Sequence, residues 1–253
     1  MNKVVIIGAG AAGLMAAIAA AENGADVLVL EKNDRAGKKI RITGKGRCNV
    51  TSAKSKEEHI KAFLHNGKFM YTPYSVLSPE ETCGFFEAAG VPLKTERGDR
   101  VFPQSDNAQD IVDALVKKAE SSGAKILTDK AVKTLLRSSE GDLLGVLCAD
   151  GERITADAVI IATGGASYPG TGSSGDGYKL AKSVGHTIVP VRPALVPLVV
   201  KEDDAGKMQG LSLRNVSLSI YDKKGKVLVQ EFGEMLFTHY GLSGPVVLTA
   251  SGK

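Results

Sequence analysis

The order of apolar and polar positions predicts an alternating β and α chain at the start. Val4-Val5-Ile6-Ile7 is a short continuous apolar run, the pattern of a buried strand. Gly8 to Gly13 interrupts it, and the Ala-rich stretch Leu14 to Glu22 then predicts a helix that Asn23-Gly24 stops. Asp26-Val27-Leu28-Val29-Leu30 is a second strand, which completes one βαβ unit. Residues 35–52 form a loop rich in Gly, Lys and Arg. Helices are expected over Ser55 to Leu64, from Ser78 or Pro79 to near Gly90, over Ala108 to Ser121, and from about Gly175 to Val184. Apolar spacing is clearest in the third, at Ile111, Val112, Leu115, Val116 and Ala119. Strand-like runs at Lys125 to Leu127, Ala131 to Leu136, Leu143 to Cys148 and Arg153 to Thr155 follow. The turns Glu140-Gly141-Asp142 and Asp150-Gly151 make the last three a small antiparallel meander. Ala158 to Ala162 is another buried strand.

After His186 the texture changes. Prolines stand at 190, 193 and 197, and alternating segments at Leu213 to Tyr221 and Val227 to Phe232 flank the turn Asp222 to Gly225. Two domains are expected, residues 1–188 and the start of a β-rich domain over 189–253. The abrupt end after an apolar run predicts that the chain continues.

Composition narrows the function classes. A net charge of +4 spread without a basic tract, with 5% aromatics and no Trp, argues against a nucleic-acid platform. Three cysteines with no CxxC pair argue against a disulfide framework or a dithiol redox centre, and they suit a reducing cytoplasm. Val4 to Ala21 lacks charge, but its strong apolar positions end at Ile7 and its glycines weaken a helix, so neither a membrane span nor a signal peptide is expected.

Three segments carry candidate chemistry. Gly8-Ala9-Gly10-Ala11-Ala12-Gly13 lies between a strand and a helix, with Glu31 at the end of the next strand. That context is a dinucleotide fingerprint: glycines for a tight turn, for close approach of a pyrophosphate and for helix–strand packing, and a carboxylate for a ribose diol. It does not separate NAD from FAD. The loop Arg41 to Asn49 has small residues beside two basic side chains and an amide, suited to a planar ring with a carbonyl edge, though on physical grounds alone such a loop is more often solvated surface. Thr163-Gly164-Gly165 follows a buried strand and can lie against a ligand or simply turn the chain.

Taken in order, GAGAAG, RITGKGRCN, ATGGASYPGTGSSGDGY and FTHYGLSGP resemble the BaiN-type, aminoacetone-oxidase-like flavoproteins over essentially the whole chain. The resemblance implies an α/β fold, with a glutathione-reductase-like, Rossmann-type FAD-binding domain and a β-rich inserted domain. It implies an FAD-dependent oxidoreductase acting on a small organic molecule such as an enone, with NAD(P)H as candidate donor. By the same resemblance Gly8, Gly10, Ala12 and Gly13 line the pyrophosphate, and Glu31 and Lys32 flank the adenosine ribose. Thr43, Gly44, Gly46, Arg47, Cys48 and Asn49 approach the flavin. Val132 meets the adenine through its backbone, and Thr163, Gly164 and Gly165 close over the cofactor. Members of that family run on further to a late glycine-rich segment. An NAD-dependent dehydrogenase without flavin and a non-catalytic flavin-binding protein remain the alternatives. No metal site and no catalytic acid or base is expected from these residues. Cys48 reads as a packed thiol sooner than a redox one. His239 is either a proton donor or a turn residue, and Arg100 to Pro103 reads as a surface loop. Ser167 and Tyr168 cap or line the pocket.

Overall fold

The computed structural model describes all 253 residues. They form two compact units, Met1–Lys61 with Lys68–Ile188, and Ala62–Gly67 with Val189–Lys253.

The first unit is built on a four-stranded parallel sheet. Its centre is β1 (Lys3–Ile7), flanked by β2 (Asp26–Leu30) and by the strand Ala158–Ile161, with Lys125–Leu127 outside β2. Both faces of the sheet are covered, which is why its strands read as continuous apolar runs. The pleat sends Ile6, Val27 and Val29 to one face and Val5, Ile7 and Leu30 to the other. The first face packs on helix α1 (Ala11–Glu22) and on Ala108–Ser121, whose Ile111, Val112 and Leu115 are buried. The second packs on the antiparallel meander Val132–Arg137, Leu143–Cys148 and Arg153–Thr155 and on Leu180 of the helix Asp176–Ser183.

Local chemistry sets the helix starts. Ser78 and Glu81 form a reciprocal capping box ahead of Pro79–Ala88, and the Asn107 side chain accepts from Gln109 N at 3.0 Å to open Ala108–Ser121. Where an L-residue helix would normally seek a polar cap, α1 has Gly10, with no side-chain cap.

The expected loop at Arg100 to Pro103 is instead a strand that pairs with Thr51–Ser52 and Leu93–Glu96, and Val101 and Phe102 are buried in it. The second unit holds an antiparallel sheet, in which the long hairpin Ser212–Tyr221 and Val227–Thr238 is joined by Gly241–Ser243 and Leu198–Val199, with the helix Pro245–Ser251. No helix of the chain is long and apolar enough to cross a membrane.

Candidate functional site

A cavity of about 860 Å³ opens at the carboxyl ends of the parallel strands, where open α/β sheets bind ligands. It lies wholly within the first unit.

The glycine turn at its floor is held from two sides. Gly8 N donates to Leu30 O at 2.8 Å, and Gly37 N donates to Ala9 O at 2.8 Å. Gly8 has φ +106°, and a Cβ there would stand 2.7 Å from Ala162 O. Gly13 sits where helix and turn touch. Gly10 is different: a Cβ there meets nothing within 4 Å, and the residue faces the cavity. The first turn of α1 therefore presents unpaired backbone N–H groups and the positive end of the helix dipole to that space.

Glu31 closes the turn chemically. It is buried, at 7% exposure, with no cation against it. One carboxylate oxygen accepts from Ala9 N at 2.8 Å, and the other accepts from Asn33 N at 2.9 Å and Asn33 Nδ2 at 2.5 Å. Three N–H donors, and no salt bridge, meet its two oxygens, and the residue lines the cavity. Beside it Lys32 Nζ donates to Ser174 Oγ and to Asp176 Oδ2, each at 2.6 Å. That contact, followed by the one from Ser174, holds the Asp176 carboxyl below its ordinary value. Lys130 also lines the wall, and the hydrogen bonds it donates to Asp150 and then Glu152 push its ammonium pKa up.

Of the residues expected at the site, Gly8, Gly10, Ala12, Glu31, Lys32, Thr43, Cys48, Asn49, Val132, Thr163 and Gly164 line the cavity. Gly13, Gly44, Gly46, Arg47 and Gly165 do not. For Gly13 and Gly44 the reason is packing. A Cβ on Gly44 would strike Asn49 N at 2.8 Å and Phe102 at 2.9 Å. Arg47 stands off the cavity lining. The backbone from Gly44 to Gly46 runs left-handed, and Arg47 is drawn to Phe102, with its guanidinium 4.0 Å from the ring centroid, and to Glu96 at 2.8 Å. His239 falls in the turn between two strands of the second unit, edge-on to Tyr240.

Cys48 is buried with φ +61°, and its N–H donates to Thr43 O at 3.0 Å. Burial pushes its thiol pKa up, against a smaller opposing effect of the Thr43 hydroxyl, so the sulfur is held neutral. With its amide oxygen and nitrogen exchanged, the assignment its neighbours favour, Asn49 donates to the carbonyls of Thr51 and Val101, at 3.0 and 3.2 Å.

The sequence reading missed an apolar wall. Met15, Leu77, Phe85, Phe86, Ile111 and Leu115 line the cavity. These side chains come from three helices and, at Leu77, from the end of a fourth, with no shared motif. Only the apolar face of Ala108 to Ser121 gave a signal, and it read as core. The cavity thus combines a polar region around Glu31, Lys32, Lys130 and Asp176 with a broad apolar lining.

The family profile described as HI0933-like protein Rossmann domain matches residues 2–249. The 3-dehydro-bile acid delta(4,6)-reductase of Clostridium scindens is 39% identical over 99% of this chain and 60% of its own length. The ribosomal RNA dihydrouridine synthase of Escherichia coli K12 is 32% identical over 98% of this chain and 60% of its own. The chain therefore spans about three fifths of the length of the curated relatives it matches. Among solved structures, a flavocytochrome c3 fumarate reductase superposes with TM-score 0.59 at 20% identity, over 85% of this chain and 47% of that one. The 3-ketosteroid-delta4-(5alpha)-dehydrogenase of Rhodococcus jostii RHA1 superposes with TM-score 0.58 at 21% identity, over 84% and 60%. These two likenesses show a shared α/β fold.

Proposed function

The chain belongs to the HI0933-like Rossmann family, and from that premise we propose that it carries the FAD-binding core of an oxidoreductase that reduces a carbon–carbon double bond conjugated to a carbonyl. The observation that carries the reading is the pairing of the open Gly10 with the buried Glu31 at the mouth of the parallel sheet. Gly10 leaves room for a phosphate against bare backbone N–H groups, and Glu31 offers acceptor oxygens to a ribose diol.

In this reading the backbone of Gly8 to Ala12 holds the pyrophosphate, and Glu31 orients the ribose next to it. Val132 stands on the adenine side. Thr43, Cys48, Asn49 and the apolar wall of Met15, Phe85 and Leu115 shape the pocket for the ring. Bound flavin supplies hydride transfer, which no side chain here performs. The chain's own part is to orient the ring, exclude water from it and keep a reactive thiolate away from it, since Cys48 is held neutral.

The substrate class rests on the names of the relatives. A 3-dehydro bile acid with delta-4,6 unsaturation carries double bonds conjugated to a ketone. Dihydrouridine is uridine saturated at the ring double bond that is conjugated to a carbonyl. One hydride acceptor chemistry covers both. We place this protein on the small-molecule side, because its charges are interspersed and it has few aromatics. NAD(P)H is the proposed electron donor. Three unpaired cysteines support a cytoplasmic, reducing location.

The experiment is to purify the full-length protein, identify the released cofactor by its spectrum and mass, and mix the loaded protein anaerobically with NADH or NADPH and then with a steroid enone. Yellow protein whose reduced flavin is reoxidised by the enone supports the reading. A colourless protein that binds NADH alone returns it to the dehydrogenase class. Flavin that no donor reduces makes it a binding protein, and reoxidation by unmodified rRNA but not by enones moves the substrate to nucleic acid.

A further inference from the structure

We propose that Lys32 and Asp176 form an electrostatic latch that holds the strap Gly165–Gly175 closed against the cofactor and so governs how fast the cofactor leaves. The proposal rests on the FAD reading above. Lys32 and Asp176 are positioning residues in it and act through the strap.

The strap's own backbone bonds are short-range turns apart from Gly175 N to Gly165 O at 3.2 Å, which joins its ends. Tyr168, Gly172 and Gly175 are left-handed, at φ +54°, +101° and +79°, and only one turn of 3-10 helix, Pro169–Thr171, is regular. Side chains from a single segment, residues 32–39, fasten it. Lys32 Nζ donates to Ser174 Oγ and Asp176 Oδ2, and Ser174 Oγ in turn donates to Asp176 Oδ2 at 2.7 Å. Lys39 Nζ donates to Ser167 O at 2.8 Å, and Asn33 Nδ2 reaches Thr171 O at 3.4 Å. Backbone and side chain meet closely there, since a Cβ on Gly172 would lie 2.5 Å from Asn33 Nδ2.

Both segments line the same cavity, with Lys32, Asn33 and Lys39 from one and Thr171, Gly172 and Asp176 from the other. The bonds Lys32–Asp176 and Asn33–Thr171 therefore join two segments of the cavity lining. Lys32–Asp176 is the charged bond of the set, and its side chains are 33% and 39% exposed. Water can replace it without opening the apolar core, which is what a reversible closure requires.

The test uses the full-length protein in four forms: wild type, Lys32→Met, Asp176→Asn, and the exchange Lys32→Asp with Asp176→Lys. Two readouts are taken. One is hydrogen exchange of the strap amides in cofactor-free protein, and the other is the rate at which bound FAD is lost into an excess of a scavenging apoflavoprotein. Both single variants should exchange faster in the strap and release FAD about fivefold faster, with the exchanged pair returning toward wild type on both readouts. If Lys32→Met accelerates release while Asp176→Asn leaves it unchanged or slows it, Lys32 acts by direct contact with phosphate and the latch is wrong. Unchanged strap exchange, or no recovery in the exchanged pair, also overturns it. A wild type that never takes up FAD would instead refute the cofactor reading, and the amide-exchange arm would still judge the strap.

Discussion

A Cβ on Gly13 would lie 1.8 Å from the carbonyl oxygen of Gly8. Helix α1 thus rests directly on the turn that precedes it, and two glycines of one motif differ in surroundings: Gly13 is filled by protein and Gly10 is left open to the cavity.

Exchanging each for alanine separates the roles. Gly13→Ala forces backbone apart and should cost about 3 kcal/mol or more, seen as a large fall in Tm by circular dichroism. Gly10 has φ −85° and ψ −172°, which alanine adopts freely. Gly10→Ala should keep the Tm and weaken flavin binding by an order of magnitude or more in a fluorescence titration. Equal loss of stability in both variants would contradict this division.

Glu31→Gln keeps the shape of the side chain but turns one acceptor into a donor facing N–H groups. The cofactor-free protein should lose about 1–3 kcal/mol in urea denaturation, because the donors of Ala9 and Asn33 cannot all be satisfied. Flavin affinity should fall with it. A Glu31→Gln variant as stable as wild type would show that water serves these donors equally well.

Cys48 should resist alkylation. Its thiol is buried and held neutral past the ordinary thiol range, so iodoacetamide labelling at pH 8 should be slow in native protein and rapid after unfolding, as followed by mass spectrometry. Fast native labelling would mean a thiolate at the cavity wall.

Asp106 should contribute to the acid limb of stability. Lys94, and after it Arg47, holds its carboxyl below the ordinary carboxylate range. A carboxyl whose pKa is depressed by folding stabilises the fold above its unfolded value and loses that contribution as pH falls through the folded one. The Tm of wild type should therefore drop as pH is lowered through and below about 4, and Asp106→Asn should flatten that slope while leaving flavin affinity intact. Arg47→Met, which keeps contact with Phe102 but removes the charge, should lower Tm at pH 7 with flavin affinity within a factor of a few. A large loss of flavin in Arg47→Met would return Arg47 to the site.

How much of this was legible follows from what each residue answers to. The parallel strands were plain because they are buried on both faces and carry unbroken apolar runs, and the meander was plain because Gly-containing turns separate its strands. The hairpin Leu93–Pro103 was not, since Lys94, Glu96 and Arg100 interrupt its apolar positions and Pro103 ends it. The helix Pro245–Ser251 was hidden by β-branched valines, and Val227–Thr238 was read short because Gly233 breaks the alternation. At the site, Glu31 and Gly10 could be located because their tasks are local to one βαβ unit. The apolar wall could not, since Leu77, Phe85 and Leu115 converge only after three helices have packed. The position of Arg47 was not legible, because it depends on the left-handed backbone over Gly44 to Gly46, which sends the side chain to Phe102 and Glu96.

The strand order of the parallel sheet has a bearing on synthesis. β1 is completed on one side by its neighbour β2 and on the other by Ala158–Ile161, and the glycine turn abuts Ala162 and Thr163. A nascent chain therefore exposes an unpaired edge of β1, rich in Val and Ile, from the moment it emerges until Thr163 has cleared the ribosome. During that interval the cofactor has no seat, and the edge is open to pairing with other chains.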